Sequence, residues 1–310
     1  MPRAFRIARA RLLSWAGGAV LLLILVVAAF LIWAHRPAIA PIASQAGRVF
    51  PPALVARGAI VAQLGDCQGC HSVTAQAPFA GGAAIRTPLG LLFGSNITPD
   101  PDTGIGRWSL AAFSRALRQG VSRDGRHLYP AMPYEHFVSL RDEDVAALYA
   151  FLMQQRPVHA IAPANRLIPP VNYRPFLAGW KSWFAHKGGF IPPAGLDPVW
   201  NRGAYLSGAL AHCGACHTPR TLFQAEDPHR PLAGGWADGW TTPPLDGSGA
   251  RWSVDQLETY LTTGRAPDGK GARGPMAKVV NSLAPVPRPE VHAIAVYIAS
   301  RMQGSKAGGP

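Results

Sequence analysis

All four cysteines of this 310-residue chain lie in two copies of one pentapeptide, Cys67-Gln-Gly-Cys70-His71 and Cys213-Gly-Ala-Cys216-His217. C-x-x-C-H is an attachment motif for c-type haem. Two thiols three positions apart on a helical turn add to the two vinyl groups of one porphyrin, and the adjacent histidine points at the iron. Other uses of the cysteines fit less well. A zinc ribbon places its second C-x-x-C about 15–20 residues after the first, whereas well over a hundred residues separate these two. A thioredoxin-like pair requires a βαβ pattern that is not legible here, and it leaves the histidine after each pair unexplained. Cysteines this close within one helix are also poorly placed for a disulfide. The motifs therefore imply two covalently bound haem c groups, one on Cys67, Cys70 and His71 and the other on Cys213, Cys216 and His217.

A 48% hydrophobic composition excludes wholesale disorder, and 33 Gly with 30 Pro but only 9% aromatics point to short helices joined by turn-rich connections. The expected fold class is mainly α. The formal charge is +13, and five of the 30 basic residues (Arg3, Arg6, Arg9, Arg11 and Arg36) fall in the first 36 positions, which carry no acid. Residues 15–34 form an uncharged run of 20. Such a run spans about 30 Å as a helix, the thickness of a bilayer core. Four arginines precede it, so the N-terminus is expected in the cytoplasm of a bacterial cell, with the rest exported across the inner membrane to the periplasm. The competing reading is a cleaved signal, whose apolar region is about 7–15 residues before a small-x-small site. Ala38-Ile-Ala40 is followed by Pro41, and Ser44-Gln-Ala46 is distant, so an uncleaved anchor is the expectation. Export, and the lack of any basic run interleaved with aromatics, argue against a nucleic-acid partner.

The chain repeats itself at an interval close to 145 residues: Arg57-Gly-Ala59 with Arg202-Gly-Ala204, Phe79-Ala-Gly-Gly82 with Leu232-Ala-Gly-Gly235, and Arg107-Trp-Ser109 with Arg251-Trp-Ser253. After each Arg-Trp-Ser, apolar residues recur at i, i+3 and i+7 (Leu110, Phe113, Leu117; Val254, Leu257, Leu261), one face of a helix. Ser109 and Ser253 are natural N-caps, Gln256 completes a capping box, and Gly120 and Gly264 are expected stops. Met132 and Met276 each lie 25 residues after their arginine, with Pro133 and Pro275 beside them. This matched offset predicts both methionines as the sixth iron ligands, presented on rigid extended loops. The alternative ligands are His127, His136, His212 and His292, none of which recurs in register. His159, His186 and His229 read as surface or linker residues.

Each repeat closes with a helix. Val145, Leu148 and Leu152 follow the acidic turn Asp142-Glu-Asp144, and Val291, Ile294 and Ile298 follow Pro289, expected at N1. First and last helices should pack together beside each haem. The expected organisation is an anchor at 1–36, a linker at 37–52, haem domains at 53–155 and 198–303, a Pro- and aromatic-rich linker at 156–197, and a disordered tail at 304–310. Tyr173, Phe176, Trp180, Trp183 and Phe184 in the second linker read as inter-domain packing, with a docking patch for a partner or the membrane surface as the alternative.

Three stretches carry a family resemblance: Gly125-Arg-His-Leu-Tyr-Pro-Ala-Met132-Pro-Tyr134, Ser95-Asn-Ile-Thr-Pro-Asp100 and His212-Cys-Gly-Ala-Cys-His-Thr-Pro-Arg220. Over residues 54–302 the chain resembles the cytochrome c subunits of bacterial membrane-bound dehydrogenases that oxidise alcohols, sugar acids or aldehydes in the periplasm. The resemblance implies two tandem cytochrome c-type domains, with His71 and Met132 on one iron and His217 and Met276 on the other. It also implies a catalytic dehydrogenase subunit as partner, and quinone, another cytochrome or an oxidase as electron acceptor. Family members commonly carry three haem domains and two are legible here, so a role resting on a third, including part of a route to quinone, is not carried over. A Met/His iron is six-coordinate and offers no open site. The expected role is electron transfer without substrate chemistry, and the alternative is a di-haem peroxidase-type enzyme.

Overall fold

The computed structural model describes residues 3–185, 190–191 and 193–304. The expectations for His186 and for residues 305–310 fall outside them. Helix α1 (Arg3–Ala34) contains the apolar run, with a candidate span at Leu12–Ala34. The first unit follows as α2 (Pro52–Leu64), α3 (Cys67–His71), the strands β1 (Ala84–Thr87) and β2 (Gly90–Phe93), α4 (Leu110–Gln119), α5 (Tyr134–Phe137) and α6 (Asp142–Met153). A connection with β3 (Arg166–Leu167) and α7 (Phe176–Phe184) leads to the second unit. That unit comprises α8 (Pro198–Tyr205), a π-turn at Leu206–Leu210, α9 (Cys213–His217), β4 (Gly235–Ala237), β5 (Trp240–Thr242), α10 (Val254–Thr263), α11 (Pro275–Leu283) and α12 (Arg288–Met302).

The repeated signals have structural counterparts. Ser109 Oγ accepts from the Ala112 amide, Ser253 and Gln256 form the reciprocal capping box, and Gly120 and Gly264 close α4 and α10 in the left-handed region. Phe79 and Leu232 share the same unusual φ of 63°. Two expectations are corrected. Leu110 is exposed, because the buried stripe of α4 runs through Ala112, Phe113, Ala116 and Leu117. Pro289 stands second in α12, since Pro287 caps it and Arg288 is the first helical residue.

The Arg-Gly-Ala repeat marks a helix crossing. In the first unit α2 packs on α6, and in the second α8 packs on α12. A Cβ on Gly58 would sit 2.0 Å from the Ala147 carbonyl oxygen, and one on Gly203 1.9 Å from that of Ala293. Only glycine lets the backbones approach so closely. The neighbouring arginine then reaches the acidic start of the facing helix. Arg57 pairs with Asp144 at 2.9 Å and Glu143 at 3.3 Å, and Arg202 grips Glu290 through two nitrogens at 2.8 and 2.9 Å.

The units are not strung out on a loose tether. Their buried residues form one continuous core running from Val61 through Tyr205 to Met302. Tyr205, fully buried, donates to Asp144 at 2.6 Å and accepts from the Arg141 amide, with the Arg141 guanidinium 4.6 Å from its ring centroid. The Pro-rich connection contributes to the fold as well, because β3 extends the β1–β2 hairpin into a three-stranded sheet. Residues 37–52 also run along the first unit, with Ile39 bonded to Arg123 and Ile42 to Arg107.

Candidate functional site

Each C-x-x-C-H forms a single helical turn, and the residue before its first cysteine adopts a left-handed conformation, Asp66 at φ 44° and His212 at φ 38°. This sharp entry swings the motif out of the preceding helix. None of Cys67, Cys70, Cys213 and Cys216 forms a disulfide. Burial, with Asp66 adding to it, pushes the Cys67 thiol up to about 12, and burial pushes the Cys213 thiol to about 12 as well.

The histidines are held alike. His71 Nδ1 lies 2.6 Å from the Ser95 carbonyl oxygen, and His217 Nδ1 lies 2.8 Å from that of Pro243. A carbonyl only accepts, so Nδ1 carries the proton and donates, leaving Nε2 with its lone pair. This is the arrangement of a metal-ligating imidazole. Burial holds both histidines below the ordinary imidazole pKa and favours the neutral form. Downstream backbone closes over each motif: Gly81 donates to the His71 carbonyl at 2.7 Å and Gly234 to that of His217 at 2.8 Å. These donors fit haem c: two thiols and one oriented imidazole per turn. Among the described residues no group of three His, Cys, Asp or Glu is arranged to hold a metal ion.

Met132 sits in the turn between Tyr129 and Tyr134 and packs against the core. Met276 does not lie on an extended loop: Pro275 opens α11 and Met276 falls in its first turn, after Gly274, which packs against Trp240. The alternative histidines are engaged elsewhere. His127 meets the Ala34 carbonyl at 2.8 Å and Lys181 at 3.3 Å, and His136 meets the Gly208 carbonyl and Glu226, both at 2.7 Å. His212 packs on the Phe137 ring, and His292 lies 3.2 Å from Glu258.

Both motifs lie near the junction of the units. Helix α11 of the second unit packs on α3 of the first. The π-turn before the second motif packs on α5, the helix after Met132. The two left-handed residues, the two carbonyl acceptors and this packing carry no signal in the sequence.

Glu135, His136, Glu226 and Arg220 form a buried ionic cluster at this junction. Burial, with Glu226 adding to it, pushes the Glu135 carboxyl from 4.5 up to about 7. Below pH 4.5 the group is protonated in both folded and unfolded chains. As pH rises toward 7 the unfolded chain ionises first, so this group's stabilising contribution is lost across that window. Glu135→Gln should therefore leave stability unchanged near the lower limit and raise it by on the order of 3 kcal/mol at mildly alkaline pH. Urea unfolding of the haem-loaded protein at both pH values checks this; equal stability of the two proteins in alkali would contradict it.

Paired thiols and an oriented imidazole on a cytochrome-like helical frame define the class, a protein that holds haem covalently. The cytochrome c family profile matches residues 55–156. The chain is 49% identical over 269 residues to a nicotinate dehydrogenase subunit of Pseudomonas putida, covering 86% of this chain and 23% of that protein. It is 43% identical over 268 residues to the gluconate 2-dehydrogenase cytochrome c subunit of Pantoea cypripedii, covering 80% and 59%. It is 37% identical over 249 residues to a diheme cytochrome c-type protein of Cereibacter sphaeroides, covering 78% and 84%. The chain thus belongs to the cytochrome c family that includes diheme c-type cytochromes and the cytochrome c subunits of dehydrogenases. It spans 23% and 59% of the length of the first two relatives, under two thirds of each. None of these relatives is named as a peroxidase, and the peroxidase alternative gains no support from them.

Proposed function

We propose that the chain is a two-haem electron relay, anchored to the bacterial inner membrane by α1 with both units in the periplasm. It would take electrons from a catalytic dehydrogenase subunit and pass them to quinone, another cytochrome or an oxidase. The observation that carries this reading is the duplicated site: the same turn, the same Nδ1-to-carbonyl bond and the same methionine register in each unit. Cys67 and Cys70 would hold one haem with His71 and Met132 as axial ligands, and Cys213 and Cys216 the other with His217 and Met276. Bound haem supplies a one-electron carrier whose potential methionine ligation raises.

The chain's own residues position and insulate. The Ser95 and Pro243 carbonyls aim the two imidazoles, the shared core excludes water, and the packing of α11 on α3 brings the second unit against the first motif. That proximity suits transfer between units, and fully ligated irons suit a carrier that leaves substrate chemistry to its partner. The relatives' names support such a partner. Stopped-flow spectroscopy of the co-purified complex should show haem reduction on adding the partner's substrate, and none with the isolated chain. Substrate-driven reduction of the isolated chain would contradict the reading.

A further inference from the structure

We propose that the outer face of α7, with the adjoining turn that carries Leu222 and Phe223, lies on the periplasmic lipid surface of the membrane and sets the attitude of both units against it. The inference rests on the anchor reading of α1 and extends it from a tether to a seated surface. Along its candidate span α1 is exposed until its last turn, where Phe30 is half-buried and Ala34 buried. There the Ala34 carbonyl accepts from His127 Nε2 at 2.8 Å, and Phe30 meets Phe176 of α7 with ring centroids 5.9 Å apart. Phe30 stands four residues before the end of the span, about 6 Å inside it at the helical rise. A residue touching Phe30 is therefore at the depth of the lipid interface.

From that contact α7 presents the wrong face to water. Its inner side buries Leu177 and Ala178. Its outer side exposes Phe176 and Trp183, the latter 82% exposed, with Trp180 half-buried between them. A surface helix ordinarily turns polar residues outward, and aromatics are enriched where a bilayer meets water. The apolar surface continues onto the second unit. Phe184 stacks on Phe223 at 5.4 Å, Trp180 Nε1 donates to the Phe223 carbonyl at 2.8 Å, and Leu222 is 90% exposed. A protein partner would also cover aromatic side chains. Continuity with the lipid-facing surface of α1 favours the bilayer.

The test is photocrosslinking of the full-length, haem-loaded protein in vesicles of phosphatidylethanolamine and phosphatidylglycerol. p-Benzoylphenylalanine replaces, one at a time, Leu23 within the span, Trp183 on α7 and Val49. Val49 is exposed and lies 13 residues beyond Arg36 in the chain. The expected result is phospholipid adducts at positions 23 and 183, with a yield at 183 at least about tenfold above that at 49. Adducts at 23 with no excess at 183 over 49 would overturn the seated face and leave the anchor intact. No adduct at 23 would overturn the anchor, and the yield at 183 would still decide the surface.

Discussion

Gly203→Val should cost at least about 3 kcal/mol of stability and sharply reduce the yield of folded, haem-loaded protein. A Cβ there meets the Ala293 carbonyl oxygen at 1.9 Å and Tyr297 Cβ at 2.8 Å, so the first clash is with backbone that no rotamer change relieves. Relief requires α8 and α12 to separate. That pulls Arg202 from Glu290 and disturbs Tyr205, which links the second unit to Asp144 of the first. Gly58→Val should act in the same way on α2 and α6. Gly271→Ala is the control, because a Cβ at that position would meet nothing within 4 Å, and it should shift stability by less than about 0.5 kcal/mol. Chemical denaturation of the haem-loaded variants reads all three. A Gly203→Val protein with an unchanged midpoint would mean that the two helices do not cross at this glycine.

The second large effect belongs to the methionines. Met132→Ala and Met276→Ala should each remove one thioether–iron bond, with loss of part of the absorption near about 695 nm and a fall of more than about 100 mV in the potential of one haem. The double variant should lose the band entirely. Truncation also leaves a void beside the core that Met132 touches, so a fall in stability alone does not identify a ligand. Met132→His separates the two effects: imidazole should restore a low-spin iron while the potential stays low. Full retention of the thioether signals in both alanine variants would remove these residues from the iron.

The parts of the fold that were legible in the sequence are those in which a side chain announces its role. Ser109, Ser253 and Gln256 cap helices through their own oxygens, and Gly120 and Gly264 end them through left-handed backbone. The repeat exposed Arg57-Gly and Arg202-Gly but not their meaning, since the atoms they meet belong to helices some ninety residues away. The carbonyls of Ser95 and Pro243 left no trace because every residue has a carbonyl. Asp66 and His212 share a conformation but not an identity, so comparing the repeats could not pair them. Pro275 was read as a sign of extended chain, yet at the first position of α11 its fixed φ suits a helix. The Pro-rich stretch read as a linker because a two-residue strand, β3, carries no periodicity.

On the proposed reading this chain carries two reversible one-electron centres. Spectroelectrochemical titration of the purified full-length protein, with electrons counted per chain, tests it most directly. The expected result is two electrons per chain, taken up and released at low-spin, covalently held haems that acid-acetone does not extract. A count of one electron per chain, or haem that leaves with the solvent, would contradict it.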